Sequence, residues 1–195
     1  MPKFSDSERA IIQEKLLTEG EQLFIRYGLK KVRVDELVDG IGISKGSFYA
    51  FYKTKEHLYM EILFSMSNKV VAATRVFLQE NSHLKQKELV KKMIAWSYGE
   101  IEKYPLLQQY DLELAAHLNR KLPKEMLDRY SDSDMDATKM LAEHGIKFKC
   151  DIKIAGGVFQ ALGVAYSVIM TKDNPNNRAI MDIMINSAIN EIVEE

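Results

Sequence analysis

The chain has 195 residues, 46% of them hydrophobic and 28% charged, which excludes a disordered or fibrous protein and leaves a globular one long enough for one domain or two small ones. Its net charge of −1 excludes a surface that is basic throughout, so any nucleic-acid binding must be local. Cys150 has no second cysteine to pair with, and the stretch from Met1 to Arg9 lacks the apolar core of a secretory signal, so a reducing, cytoplasmic setting is expected.

Apolar residues recur at helical spacing with no sustained alternation, and the four prolines stand at plausible boundaries, which predicts an all-α fold of about nine helices. The first runs from about Ser7 to Tyr27, with Ile11, Leu16, Leu23 and Phe24 among its apolar positions and Gly28 as its stop. A short helix from Val34 to about Ile41 is closed by Gly42, and a second starts after Ser44, a good N-cap, and ends near Tyr52. Two short helices with so brief a connection form a helix-turn-helix. Thr54 caps a longer helix from Lys55 to about Glu80, with Leu58, Ile62, Met66, Val70 and Phe77 inward. Further helices are expected at roughly 85–103, 106–118 and 123–143, punctuated by Pro105, Pro123 and Gly145, and two more at about 151–171 and 176–194.

Charge is concentrated where the short helices fall. Residues 26–55 hold seven Lys or Arg against three acids, a local balance of +4 that leaves −5 for the rest of the chain. Within the segment Ser44-Lys45-Gly46-Ser47-Phe48-Tyr49, a helix start offers free backbone N–H groups, an ammonium and hydroxyls, all of which bind phosphate. Tyr49 adds a phenol that can donate to a phosphate, and Lys55 opens the next helix, where its charge and the helix dipole both favour an anion. Phe48 and Tyr52, four apart, share a face and pack the helix onto its neighbours.

The combined pattern of Leu23-Phe24, Tyr27-Gly28, Val34, Leu37, Gly42 to Tyr49, Tyr52, Thr54-Lys55-Glu56 and Leu58 closely resembles the DNA-binding region of TetR-family regulators, over about residues 8–60. The resemblance implies an N-terminal three-helix bundle with a helix-turn-helix over residues 1–54 and a helical effector-binding and dimerisation domain over 55–195. It implies that Lys45, Gly46, Ser47 and Tyr49 meet double-stranded operator DNA, that Phe51 takes a position often held by a contacting residue, and that Lys55 grips a phosphate. Arg33 stands where relatives often have a Thr cap; it cannot accept a backbone N–H, so Asp35 and Glu36 compensate through the dipole and Arg33 is free to reach a phosphate. Phe51 has no hydrogen-bonding group, so recognition there is apolar, of the kind that meets a thymine methyl. Ser44 completes the expected DNA-binding set.

The uncharged run from Ile154 to Thr171 is long enough to raise a membrane span. Gln160, Ser167 and three glycines within it, and charged neighbouring helices, favour instead a helix buried on most of its circumference. Gly156, Gln160, Gly163 and Ser167 form a stripe of small or polar side chains where another helix can approach closely. The last helix carries Ile180, Met181, Met184, Ile185, Ala188, Ile189 and Ile192, a band wider than one contact needs. TetR relatives pair through their last two helices, which implies a homodimer. Met93, Trp96, Tyr104, Tyr110, Met126, Tyr130, Met140, Phe159 and Tyr166 are side chains of the kind that line adaptable apolar pockets, although such residues also make plain core. By resemblance some of them enclose an unidentified small-molecule effector that shifts the dimer away from its DNA-binding conformation.

Enzyme chemistry has little footing. The four histidines are dispersed, and no nucleophile elbow, phosphate-binding loop, dinucleotide fingerprint or cysteine pair is present. Glu113 and His117 have a spacing that could hold a metal, but lack a second histidine, and no cofactor is expected. The competing class is a helical small-molecule-binding or scaffolding protein whose helix-turn-helix is purely structural.

Overall fold

A computed structural model describes residues 4–109, 111–170 and 173–195, with backbone only for 129–137. Ten helices run through the described residues: α1 (Asp6–Tyr27), α2 (Val34–Asp39), α3 (Lys45–Phe48), α4 (Lys55–Glu80), α5 (Gln86–Ile101), α6 (Pro105–Gln108), α7 (Leu112–Lys121), α8 (Lys124–Glu143), α9 (Ile152–Met170) and α10 (Asn177–Ile192). The all-α expectation holds, with more helices than the nine counted. The extra one arises because the helix expected at 106–118 is two. Pro105 starts a single turn at the position where its missing N–H costs nothing, and the Asp111 carboxylate then caps a new helix by accepting from the Leu114 N–H at 2.7 Å.

The chain gathers into two compact units, Met1–Asn68 with Tyr104–Leu127, and Lys69–Lys103 with Asp128–Glu195. The boundary expected after residue 54 therefore falls inside the first unit. The physical reason lies at Gly20 in α1, where a Cβ would stand 3.0 Å from both Ile62 Cδ1 and Leu58 Cδ2 of α4. Hydrogen in place of a side chain lets the start of α4 close onto α1. Phe24 then meets Tyr59 edge-on at 5.1 Å, and Leu16, Phe24, Leu58 and Tyr59 are all buried. Each such side chain contributes about 1.5–3 kcal/mol of burial, which explains why this half of α4 packs with the N-terminal helices.

α1 begins with a capping box: the Ser5 hydroxyl accepts from the Glu8 N–H at 3.3 Å, and the Glu8 carboxylate accepts from the Ser5 N–H at 2.8 Å. It ends at Gly28, whose φ of +77° is open to glycine at little cost. Gly42, at φ +74°, likewise closes α2, its N–H donating to the Val38 carbonyl at 2.9 Å.

In the second unit, Leu89, Val90, Met93 and Ile94 of α5 form a core with Met140 and Leu141 of α8, Ala155 and Leu162 of α9, and Met181, Ile185 and Ile189 of α10. An isolated bridge between Phe148 and Val193, flanked by Lys149 N–H to Ile192 O and Glu194 N–H to Lys147 O at 2.9 Å each, ties the C-terminal residues to the segment before α9.

α9 corrects one expectation. It is long and apolar enough to cross a membrane, yet only Ala155 and Leu162 are fully buried, so it is not enclosed around most of its circumference. Lys153, Ile154, Gly157, Gln160, Ala161, Gly163, Val164, Ser167, Val168 and Met170 are exposed, a face whose one charge, Lys153, stands in the first turn. The small-residue stripe also divides. A Cβ on Gly156 would lie 3.3 Å from Thr138 Oγ1 of α8, within the chain, whereas one on Gly163 would meet open space.

Candidate nucleic-acid interface

α2 and α3 are placed by the first unit's core. Leu37 and Val38 bury the inner side of α2, and Phe48 buries α3, stacking obliquely on Tyr52 at 5.9 Å as the four-residue spacing predicts. The expected cap of α3 is present: Ser44 Oγ accepts from the Ser47 N–H at 3.1 Å. α3 is nevertheless shorter than expected. Beyond Phe48 the backbone tightens into turns, with Ala50 N–H bonded to Ser47 O and Phe51 N–H to Phe48 O.

The packing sorts the expected DNA-binding residues by what each still offers. Ser44, Lys45, Gly46 and Tyr49 lie exposed along α3, Tyr49 at 50% exposure. Ser47 does not join them: it is buried, and its hydroxyl lies 2.9 Å from Ser44 Oγ. Lys45 is exposed but already paired, its Nζ 3.0 Å from Asp35 Oδ2 on α2. A solvated pair of this kind is worth under about 1 kcal/mol, so a phosphate competes for the ammonium at little cost.

Arg33 stands before α2 with its side chain exposed. Its backbone N–H donates to Glu36 Oε2 at 2.7 Å and its Nε lies 3.8 Å from the same oxygen, while the Arg33 side chain caps no first-turn N–H of α2. Lys55 is bonded most heavily. Its Nζ donates to the carbonyls of Leu29 and Val32 at 2.7 Å each and of Lys30 at 3.2 Å, so the ammonium holds the turn between α1 and α2. Phe51 is half-buried, with Phe4 at 6.0 Å between centroids and the Arg9 guanidinium over its ring. Sequence reasoning missed Arg9, because it lies on another helix far from the motif and nothing in the local pattern points to it.

Glu113 and His117 of α7 do not face a common point. Glu113 forms an ion pair with Lys30, and His117 Nε2 lies 3.3 Å from Glu56 Oε1, a buried carboxylate in the first turn of α4. Both contacts fall within the first unit.

The described residues among the nine expected around an effector are divided between the two units. Met93 and Met140 are buried in the second unit's core, and Phe159 and Tyr166 pack against it. Trp96 stacks on Phe77 at 4.8 Å, and Tyr104 and Met126 belong to the first unit. Tyr110 and the side chain of Tyr130 lie outside the described residues. Tyr166 stacks on Tyr98 with rings 3.6 Å apart and 10° from parallel, and burial, then the neighbouring Tyr166, push the Tyr98 phenol up to about 12. An open depression of about 540 Å³ in the second unit is lined by Lys85, Lys87, Glu88, Lys91, Lys92 and Glu195, and by none of the described residues of that set.

An all-helical chain whose N-terminal unit presents a capped helix-turn-helix with lysine, glycine and tyrosine outward has the architecture of a helix-turn-helix regulator. Residues 16–62 match the family model of bacterial regulatory proteins, tetR family. The fold extends the likeness to the whole chain. A solved structure from Mesorhizobium loti, assigned to the TetR-family transcriptional regulators, is similar with a TM-score of 0.62 at 16% identity, covering 96% of each chain. A TetR family transcription regulator from Marinobacter aquaeolei VT8 gives a TM-score of 0.59 at 15% identity, covering 98% of this chain and 100% of that one. The ketosteroid transcriptional regulator KstR2 of Mycobacterium tuberculosis gives 0.52 at 19% identity, covering 94% and 95%. No curated protein sequence matches the chain.

Proposed function

We propose that this chain is a DNA-binding transcriptional repressor that grips a palindromic operator as a homodimer and is released by a small-molecule effector. The observation that carries the reading is the exposed row of Ser44, Lys45, Gly46 and Tyr49 inside the segment that matches the tetR family. In this reading α3 enters the major groove, Lys45 exchanges Asp35 for a phosphate, and the Tyr49 phenol donates to the backbone. Arg33 reaches a flanking phosphate, Ser44 and Ser47 hold the helix start in shape, and Phe51 makes an apolar contact. Lys55 sits at the edge of this surface and supports it through the turn it holds.

Dimerisation is supported by the outward face of α9, uncharged from Ile154 to Met170, and by Ile180, Ile183 and Met184, exposed on α10. An apolar surface of this extent on two adjacent helices costs free energy in water, and a second copy packed through the same helices removes that cost. The effector is proposed to bind in the second unit, among Met93, Trp96, Phe159 and Tyr166, and an apolar or amphipathic molecule suits those side chains.

Fluorescence anisotropy with the duplex upstream of the chain's own coding sequence, at stated salt, tests the DNA reading. Tight binding that competitor DNA does not remove supports it, and Lys45→Ala and Tyr49→Phe should each weaken it about tenfold. Equal, weak binding to every duplex would instead favour a scaffolding protein with a structural helix-turn-helix.

A further inference from the structure

Phe51 has no hydrogen-bonding group, yet it does not stand alone: Arg9, in the first turns of α1, carries its guanidinium carbon 4.9 Å from the Phe51 ring centroid, and Phe4 lies against the same ring. The face of an aromatic ring attracts a guanidinium and orients it without consuming any of its five N–H donors. Arg9 is exposed, and among the described residues no carboxylate forms an ion pair with it. Three other cations of the first unit are engaged, Lys45 with Asp35, Lys30 with Glu113, and Lys55 with three carbonyls.

We propose that Arg9 and Phe51 form one duplex-binding unit, in which the ring positions the guanidinium and Arg9 binds a backbone phosphate of double-stranded DNA beside the end of the helix-turn-helix. This rests on the reading of that segment as DNA-binding. A phosphate is the partner because Arg9 comes from α1, outside the helix whose residues point into the groove, and because the planar fork of a guanidinium matches two phosphate oxygens at once. The arrangement restores at position 51 the hydrogen bonding that phenylalanine cannot supply, from a different helix. Phe51 is thereby a positioning residue and Arg9 a contact.

The test is anisotropy on a mixed-sequence duplex from low to moderate salt, with the full chain and the variants Arg9→Gln, Phe51→Leu and the double variant. Loss of one phosphate contact lowers affinity roughly three- to tenfold for every sequence and reduces the slope of log K against log salt by about one for Arg9→Gln. Phe51→Leu, which keeps an apolar group against Phe4, gives part of that loss, and the double variant binds no worse than Arg9→Gln alone. Arg9→Gln with wild-type affinity and slope overturns the proposal, as does a loss limited to particular sequences with the slope unchanged. A wild-type chain that binds no duplex even at low salt overturns the DNA-binding reading as well, so the two failures are distinguishable.

Discussion

The ammonium of Lys55 donates to the carbonyl oxygen of Val32 at 2.7 Å, joining the first residue of α4 to the turn that precedes α2. Because Leu29 and Lys30 share the same donor, one side chain organises the whole connection between α1 and the helix-turn-helix. Lys55→Met removes these charge-assisted bonds and is expected to cost about 2 kcal/mol, lowering the melting temperature by about 5 °C. The salt slope of DNA binding should stay the same. Unchanged melting with a slope reduced by about one would show that the lysine serves a phosphate instead.

Ser44 holds α3 by accepting the Ser47 N–H, and the two hydroxyls lie against each other. α3 is a helix of four residues, so it depends on its cap more than a long helix does. Ser44→Ala should cost about 1 kcal/mol in chemical denaturation, and Ser44→Asp, which can accept the same N–H, should recover most of it. A Ser44→Ala chain as stable as wild type would mean that Phe48 burial alone positions the helix.

The open face of α9, uncharged from Ile154 to Met170, makes a prediction about assembly. Val164 and Val168 are 53% and 51% exposed, one turn apart, in the middle of that face. Val164→Glu with Val168→Glu places two carboxylates there and should convert a dimer to a monomer in sedimentation at micromolar concentration, with the helical content unchanged. A wild-type chain that sediments as a monomer contradicts the dimer, and one that partitions into lipid vesicles would give the face a different occupant.

Alkaline pH tests the tyrosine stack. The Tyr98 phenol is pushed up to about 12 from an ordinary value of 10, so between these values the unfolded chain has released a proton that the folded chain retains. Stability therefore falls as pH rises through that window. Tyr98→Phe removes this dependence, and it also removes a buried hydroxyl for which the described residues supply no partner. The variant should be at least as stable as wild type at neutral pH and should unfold at a higher pH. Thermal melts from pH 9 to 12 measure both, and a neutral-pH loss of several degrees would show that the hydroxyl is satisfied after all.

What the sequence by itself determined is local. Caps, glycine stops and helical periodicity are properties of neighbouring residues, so Ser44, Thr54, Gly28 and Gly42 placed the first helices with no reference to the rest of the chain. The Phe48 and Tyr52 pair and the all-α class were legible for the same reason. Asp111 was a cap in plain view, and reading it as such would have split the helix at 106–118.

Only the tertiary structure decided which polar groups remain available, because that depends on partners distant in sequence. Lys55 is engaged by carbonyls more than twenty residues away, Lys45 by Asp35, and Ser47 is turned inward, so three of the expected contacts have other employment. Arg9 of α1 meets Phe51 in the turn that follows α3, a proximity that no local pattern encodes. The same holds for α9: its composition suits a core, a membrane or an interface equally, and only its packing left one largely apolar face open.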